Sequence, residues 1–289
     1  MLILDRMAIE EAGPNPEKLA EALHRQLSCS TGSLPIEEIA TALDITEIRY
    51  EVLESFEGAL LTTPEREIGS ILVNAKANPQ RRRFTVAHEI GHYLNPWHTP
   101  NSVSSFQCSA REMGRFLIKP SLSRHEVQEF EANRFAIELL APMKRIAALS
   151  KDDPSVADVL RIASDLVLSK EAAARRYVEL HPATVVAVFT ENGIIRYAAV
   201  SKSCPRLSLT KGTSLLAPSS VGPGHTTQHE IEIELPYLNG QRQSKPAMAE
   251  TLYQESGFAI TLLTFEADIG DEEVDDPDVE DTFDRFSRF

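Results

Sequence analysis

The stretch RRRFTVAHEIGHYL, residues 81–94, restricts the chain more than any other. Placed at about 100° per residue, Val86, Ala87, Ile90, Tyr93 and Leu94 share one arc, and His88 and His92 lie together on the other side, one turn apart. Two imidazoles at that spacing point the same way, as two ligands of one tetrahedral cation must. Glu89 is turned about 100° away from His88, so it reaches a water beside the metal rather than the metal. Gly91 leaves backbone room beside the pair, and Asn95-Pro96 ends the helix. The segment before it, AKANPQRRR, reads as a polar loop. Three cations at a helix start oppose its dipole, so Arg81, Arg82 and Arg83 are expected either to be solvated or to guide an acidic substrate segment.

A catalytic zinc wants three protein ligands and an open position. The region RHEVQEFEANRFAIELLAP, residues 124–142, offers several carboxylates, and helical phase separates them. Phe130, Ala132, Ala136, Ile137 and Leu140 define an inward arc; Glu131, Arg134 and Glu138 lie on the outward one. Glu129 and Asn133 fall inside the apolar arc, one turn apart. A carboxylate there is costly unless paired or metal-bound, which makes Glu129 the third ligand. Glu126, near the edge of the arc, is the fallback, and a plain salt bridge with Arg134 or Arg111 is the alternative for either. Asn133 is placed to accept a hydrogen bond from the free nitrogen of a ligand imidazole. The donor set suits Zn2+, with Mn2+ as the other candidate. His98 and His125 are candidates for stabilising an oxyanion, although a lone histidine in a polar loop is ordinarily just solvated.

The rest of the chain reads as α+β. Asn15-Pro16 opens a helix over EKLAEALHRQL, and IEEIATAL forms a second. TEIRYEVL and GSILVN follow as strands, and GSILVN is expected to offer an edge to an extended substrate. After Pro142, PSVADVLRIASDLV and KEAAARRYVELH form a helix pair with Ser169 as N-cap of the second. Lys170, Arg175 and Arg176 are few for a phosphate footprint on DNA, and internal packing is the default reading. Strands then dominate: TVVAVFT and IIRYAAV around Asn192-Gly193, HEIEIELPYL, and FAITLLTFE. His225 and His229 also stand four apart, but in a loop entering a strand, where that spacing does not converge two rings. The expected divisions are 10–142, a metallopeptidase domain; 143–181, the helix pair; 182–265, a β-rich domain; and 266–289, a disordered acidic tail.

The net charge of −14 weighs less against a nucleic-acid partner than it suggests, because residues 266–289 hold eleven acidic and two basic side chains, leaving the body only mildly acidic. No run approaches the roughly 18 apolar residues of a membrane helix, and the N-terminal stretch does not read as a secretion signal. Cys29, Cys108 and Cys204 are odd in number and far apart, which argues against a disulfide framework or a thiolate zinc site and for a reducing cytoplasm.

FTVAHEIGHYL followed by EFEANRFAIELLAP resembles the ImmA/IrrE family of bacterial metallopeptidases, over residues about 10–142 with weaker likeness beyond. The resemblance implies a zincin-like domain in which His88, His92 and Glu129 bind zinc and Glu89 is the catalytic base. It further implies that LVLSKEAAARRYV is a helix-turn-helix segment followed by a GAF-like sensor region. Glu129 stands 37 positions after His92, across a long loop, and Ala141 replaces a common Met. The implied substrate is an XRE-type helix-turn-helix repressor, cut at one site so that repressed stress-response genes turn on. The rival reading is a DNA-binding or protein-binding regulator with a metal site; the intact Glu89 speaks against a purely structural zinc.

Overall fold

The computed structural model describes residues 2–27, 32–63, 65–99, 105–108, 123–204, 207–215, 221–235 and 244–265. The acidic tail expected over 266–289, Cys29 and most of the loop between the two motif helices lie outside the described residues. Helices and sheets are mixed, in two compact units: residues 1–143 with 165–168, and 144–164 with 169–289.

In the first unit the order is α1 (Arg6–Glu10), α2 (Pro16–Gln26), α3 (Ile36–Ala42), β1 (Ile45–Glu51), β2 (Gly58–Thr62), β3 (Gly69–Asn74), α4 (Pro79–Leu94), β4 (Ser105–Cys108) and α5 (Arg124–Leu140). Two Asn-Pro pairs start the long helices α2 and α4. Asn15 Oδ1 accepts from Lys18 N at 2.8 Å, and Asn78 Oδ1 accepts from Arg81 N at 2.8 Å, with proline filling the first turn in both. The second pair overturns the loop reading of AKANPQRRR, because α4 begins at Pro79 and all three arginines are helical and half-buried. Arg83 Nη2 donates to Leu34 O at 2.9 Å and Arg81 approaches Glu57 at 3.9 Å, so these two serve the fold.

The sheet order is β1-β3-β2-β4, with β1 parallel to β3 and β2 antiparallel to both of its neighbours. GSILVN is therefore an interior strand, hydrogen-bonded on both sides, and has no edge to offer a substrate. The cause is β2, whose short run GALLT was not read as a strand. Helix α4 packs against β2, β3, α3 and α5, and α2 packs against α5. Every residue from Thr85 to Leu94 is buried, so both arcs of the helical wheel are covered. Ile39, Ile45, Leu60, Ile71, Val73, Val86, Ile90 and Phe135 fill the core between sheet and helices.

The second unit holds α6 (Met143–Leu149), α7 (Val156–Asp165), α8 (Lys170–Leu180) and strands β5 (Val185–Glu191), β6 (Ile194–Val200), β7 (Thr226–Glu234), β8 (Ser244–Tyr253) and β9 (Phe258–Thr264). The strands form one antiparallel sheet in the order β6-β5-β9-β8-β7. Asn192 and Gly193 both have positive φ, 51° and 79°, which is what a two-residue hairpin turn between β5 and β6 demands. Val186, Val188, Ala198, Ala247, Ala249 and Leu263 share its core. Ser169 caps α8 as expected, accepting from Ala172 N at 3.1 Å. Helix α8 lies against β5 and β6, and Arg176, 1% exposed, pairs with Glu179 at 2.8 Å. Arg176 is thus withdrawn from any phosphate footprint. Asp158, fully buried in α7, accepts from Arg161 Nη2 at 2.7 Å and from Tyr177 OH at 3.3 Å, tying α7 to α8. Among the described residues no helix is long and apolar enough to cross a membrane.

Candidate metal centre

Helix α4 carries His88 and His92 on one side, and α5 runs close beside it. The approach is set by Gly91, where an added Cβ would lie 3.2 Å from Ala132 Cα and 3.0 Å from Phe135 Cδ1. Gly91 therefore makes room for a helix rather than for a substrate. Across this contact Glu129 reaches both rings: its Oε2 is 3.3 Å from His88 Nε2 and its Oε1 is 3.2 Å from His92 Nε2. The two Nε2 atoms are 3.1 Å apart. The edge of a tetrahedron with metal–ligand bonds of ~2.0 Å is roughly 3.3 Å, so these three atoms stand where three ligands of one small divalent ion belong. His88, His92 and Glu129 form the group among the described residues whose donor atoms converge for an ion. The chemistry of the set, two borderline nitrogens and one hard oxygen, suits zinc and admits manganese.

The hydrogen bonds behind the rings point their lone pairs inward. Asn133 Oδ1 lies 3.0 Å from His88 Nδ1, and since an amide oxygen only accepts, Nδ1 donates and Nε2 faces Glu129 bare. Burial pushes the His92 imidazole down to about 3, against the opposing pull of Glu129, so the ring is a neutral donor at any ordinary pH.

Glu89 is fully buried and lies on the adjacent face of α4, toward β2. Gly58, the first residue of β2, makes space for it: a Cβ there would sit 2.8 Å from Glu89 Oε1 and 2.3 Å from Thr85 Cγ2. The sequence signal was a glycine opening a strand, which often marks close approach by another group.

Three other expectations change. Glu126 is no ligand: its carboxylate accepts from Ser123 N at 3.1 Å and Ser123 Oγ at 3.0 Å, while Ser123 caps Glu126 N, a complete capping box at the start of α5. His98 is not a solvated loop residue. It is 2% exposed, with Nδ1 2.8 Å from His92 Nδ1 and Nε2 2.9 Å from Glu131 Oε2, so it is not available to an oxyanion. Glu131, placed outward by the helical wheel, is thereby engaged across the loop that follows α4. His125 keeps a part-exposed ring, with Nδ1 3.7 Å from Glu129 Oε1.

Arg66 shapes that loop. Its backbone is left-handed, φ 54°, and its guanidinium donates to Tyr93 O at 3.1 Å, to Asn95 O and to His98 O. Carbonyls at a helix C-terminus lack helical partners, and a cation there also meets the negative end of the dipole.

Residues 43–177 match the model of the peptidase M78 family, described as the IrrE N-terminal-like domain, which bears out the ImmA/IrrE resemblance carried by the two motifs. No curated protein matches the chain. Among solved structures, a Mycobacterium tuberculosis transcriptional regulator aligns at 12% identity and a TM-score of 0.49, covering 90% of this chain and 82% of that one.

Proposed function

Given an IrrE N-terminal-like peptidase domain over residues 43–177, we propose that the protein is a zinc-dependent endopeptidase that cuts another protein at one site. The observation that carries the reading is the convergence of His88, His92 and Glu129 within 3.1–3.3 Å, with Glu89 next to the first ligand in the chain. Zinc held by those three residues supplies Lewis acidity toward a substrate carbonyl and a water molecule. Glu89 accepts the proton of the attacking water on its carboxylate and returns it to the departing amine. Asn133 holds His88 in the ligating orientation, and Gly58 leaves room for the Glu89 side chain. Of the two histidines considered for the developing oxyanion, His125 retains a ring that solvent reaches.

The family resemblance supports a helix-turn-helix repressor of the XRE type as substrate, with derepression of stress genes as the outcome. It also supports reading α7 and α8 as the family's helix-turn-helix segment and the β5–β9 sheet as a GAF-like sensor, in the expected divisions 10–142, 143–181 and 182–265. Direct contact with DNA is disfavoured by the burial of Arg176.

The test incubates the protein and its Glu89→Gln variant with a candidate repressor, with and without added zinc. One new repressor fragment is expected with the native protein and zinc alone. Cutting by both proteins removes Glu89 from the mechanism, and retardation of DNA without any repressor present restores the regulator reading.

A further inference from the structure

The two ligand imidazoles are backed differently. His88 Nδ1 meets a neutral amide oxygen, whereas His92 Nδ1 meets a second imidazole that itself rests on a carboxylate. We propose that Glu131, acting through His98, fixes His92 in the proton arrangement that lets it bind metal, so that His98 and Glu131 are positioning residues of the centre. The proposal rests on the metal-centre reading above.

The argument follows the protons. A carboxylate accepts only, so Glu131 Oε2, 2.9 Å away, requires the N–H of His98 to be on Nε2. A neutral imidazole carries one N–H, and His98 Nδ1 is then a lone pair. That lone pair faces His92 Nδ1 at 2.8 Å, which must therefore donate. His92 Nε2 is left bare, aimed at the point where His88 Nε2 and Glu129 Oε1 stand 3.1 and 3.2 Å away. The opposite order, with the proton on His98 Nδ1, would set two lone pairs of His98 and Glu131 against each other and place a proton on the ligating atom of His92.

The relay is also held mechanically. His98 is 2% exposed, its carbonyl accepts from Arg66, and its N–H donates to Asn95 O at 3.2 Å. Asn95 in turn donates from Nδ2 to Pro14 O at 2.9 Å. Glu131 follows Glu129 by two residues on α5, so one helix supplies both the ligand and the origin of the relay. A carboxylate behind a ligating imidazole raises its basicity as well as orienting it.

The experiment measures zinc affinity of the full chain by competition with a chromophoric chelator. His98→Phe and Glu131→Leu are each expected to weaken zinc about 10–100-fold, and the double variant little more than either. His98→Gln should stay within ~3-fold of native, since its amide oxygen can accept from His92 and its amino group can donate to Glu131. His92→Ala is the control. If it loses zinc while His98→Phe binds like native, the relay is wrong and the metal centre stands; if His92→Ala itself binds like native, the metal-centre reading fails. Should His98→Phe not fold, the zinc-loaded native protein decides by nitrogen-15 spectroscopy of its histidines. Expected are His98 protonated at Nε2 and a coupling across the hydrogen bond between the two Nδ1 atoms. A proton on His98 Nδ1 overturns the proposal.

Discussion

The chain contains two histidine pairs at the same four-residue interval, and they share nothing else. His88 and His92, one turn apart in α4, bring their Nε2 atoms to 3.1 Å and are fully buried. His225 and His229 bracket the start of β7, where four extended residues span roughly 13 Å. His225 is exposed and donates from Nδ1 to Gly222 O at 3.3 Å, and His229 is exposed in the strand opposite Ala249. Spacing acquires chemical meaning only from the backbone that carries it. Burial then adds the second condition, because it removes the water that would otherwise satisfy each ring.

The strongest way to break this contrast is to delete the rings. His88→Ala or His92→Ala should abolish stoichiometric zinc, measured as metal content after desalting, whereas the double change His225→Ala with His229→Ala should leave it intact. Retained zinc in the first pair, or lost zinc in the second, reverses the assignment. Removing only the support behind a ring sharpens it: Asn133→Leu should weaken zinc about 10–100-fold in chelator competition, because His88 Nδ1 loses its acceptor.

The glycines beside each pair give a smaller separation. Gly58→Ala drives a methyl into Thr85 and Glu89 and should cost on the order of 1–3 kcal/mol in urea unfolding of the metal-free protein. Gly222→Ala, whose nearest neighbour is His225 Nδ1 at 4.0 Å, should stay within about 0.5 kcal/mol. Between them falls Glu126→Ala, which removes half of the capping box and should cost about 0.5–1 kcal/mol with zinc affinity unchanged. A large drop in affinity would return Glu126 to the ligand set.

What could be read in advance was whatever a single element encodes. The phase of α4 and α5 brought His88, His92, Glu129 and Asn133 together, and Asn15-Pro16, Ser169 and Asn192-Gly193 marked the starts of α2 and α8 and the turn between β5 and β6. Asn78-Pro79 bears the same signature as Asn15-Pro16, inside a segment whose polar composition reads as a loop. Strand β8 was hidden for a different reason. Its sequence SKPAMAETLY has little intrinsic preference for a strand and includes a proline, and it becomes one by pairing with β7 and β9. Among the described residues Pro246 is paired with Glu232 of β7, and β9 pairs with β8 from Met248 onward. His98 and Glu131 were beyond any single-element reading, since their meeting depends on the path of a loop that Arg66 dictates from elsewhere in the chain.

That path has a further consequence. Arg66 pins the chain as it leaves α4, through the carbonyls of Asn95 and His98, and the Ser123–Glu126 box pins it as it enters α5. Both attachment points sit outside the ligand atoms themselves. The end of one motif helix and the start of the other are thus each closed by contacts of their own, made by groups that take no part in holding an ion.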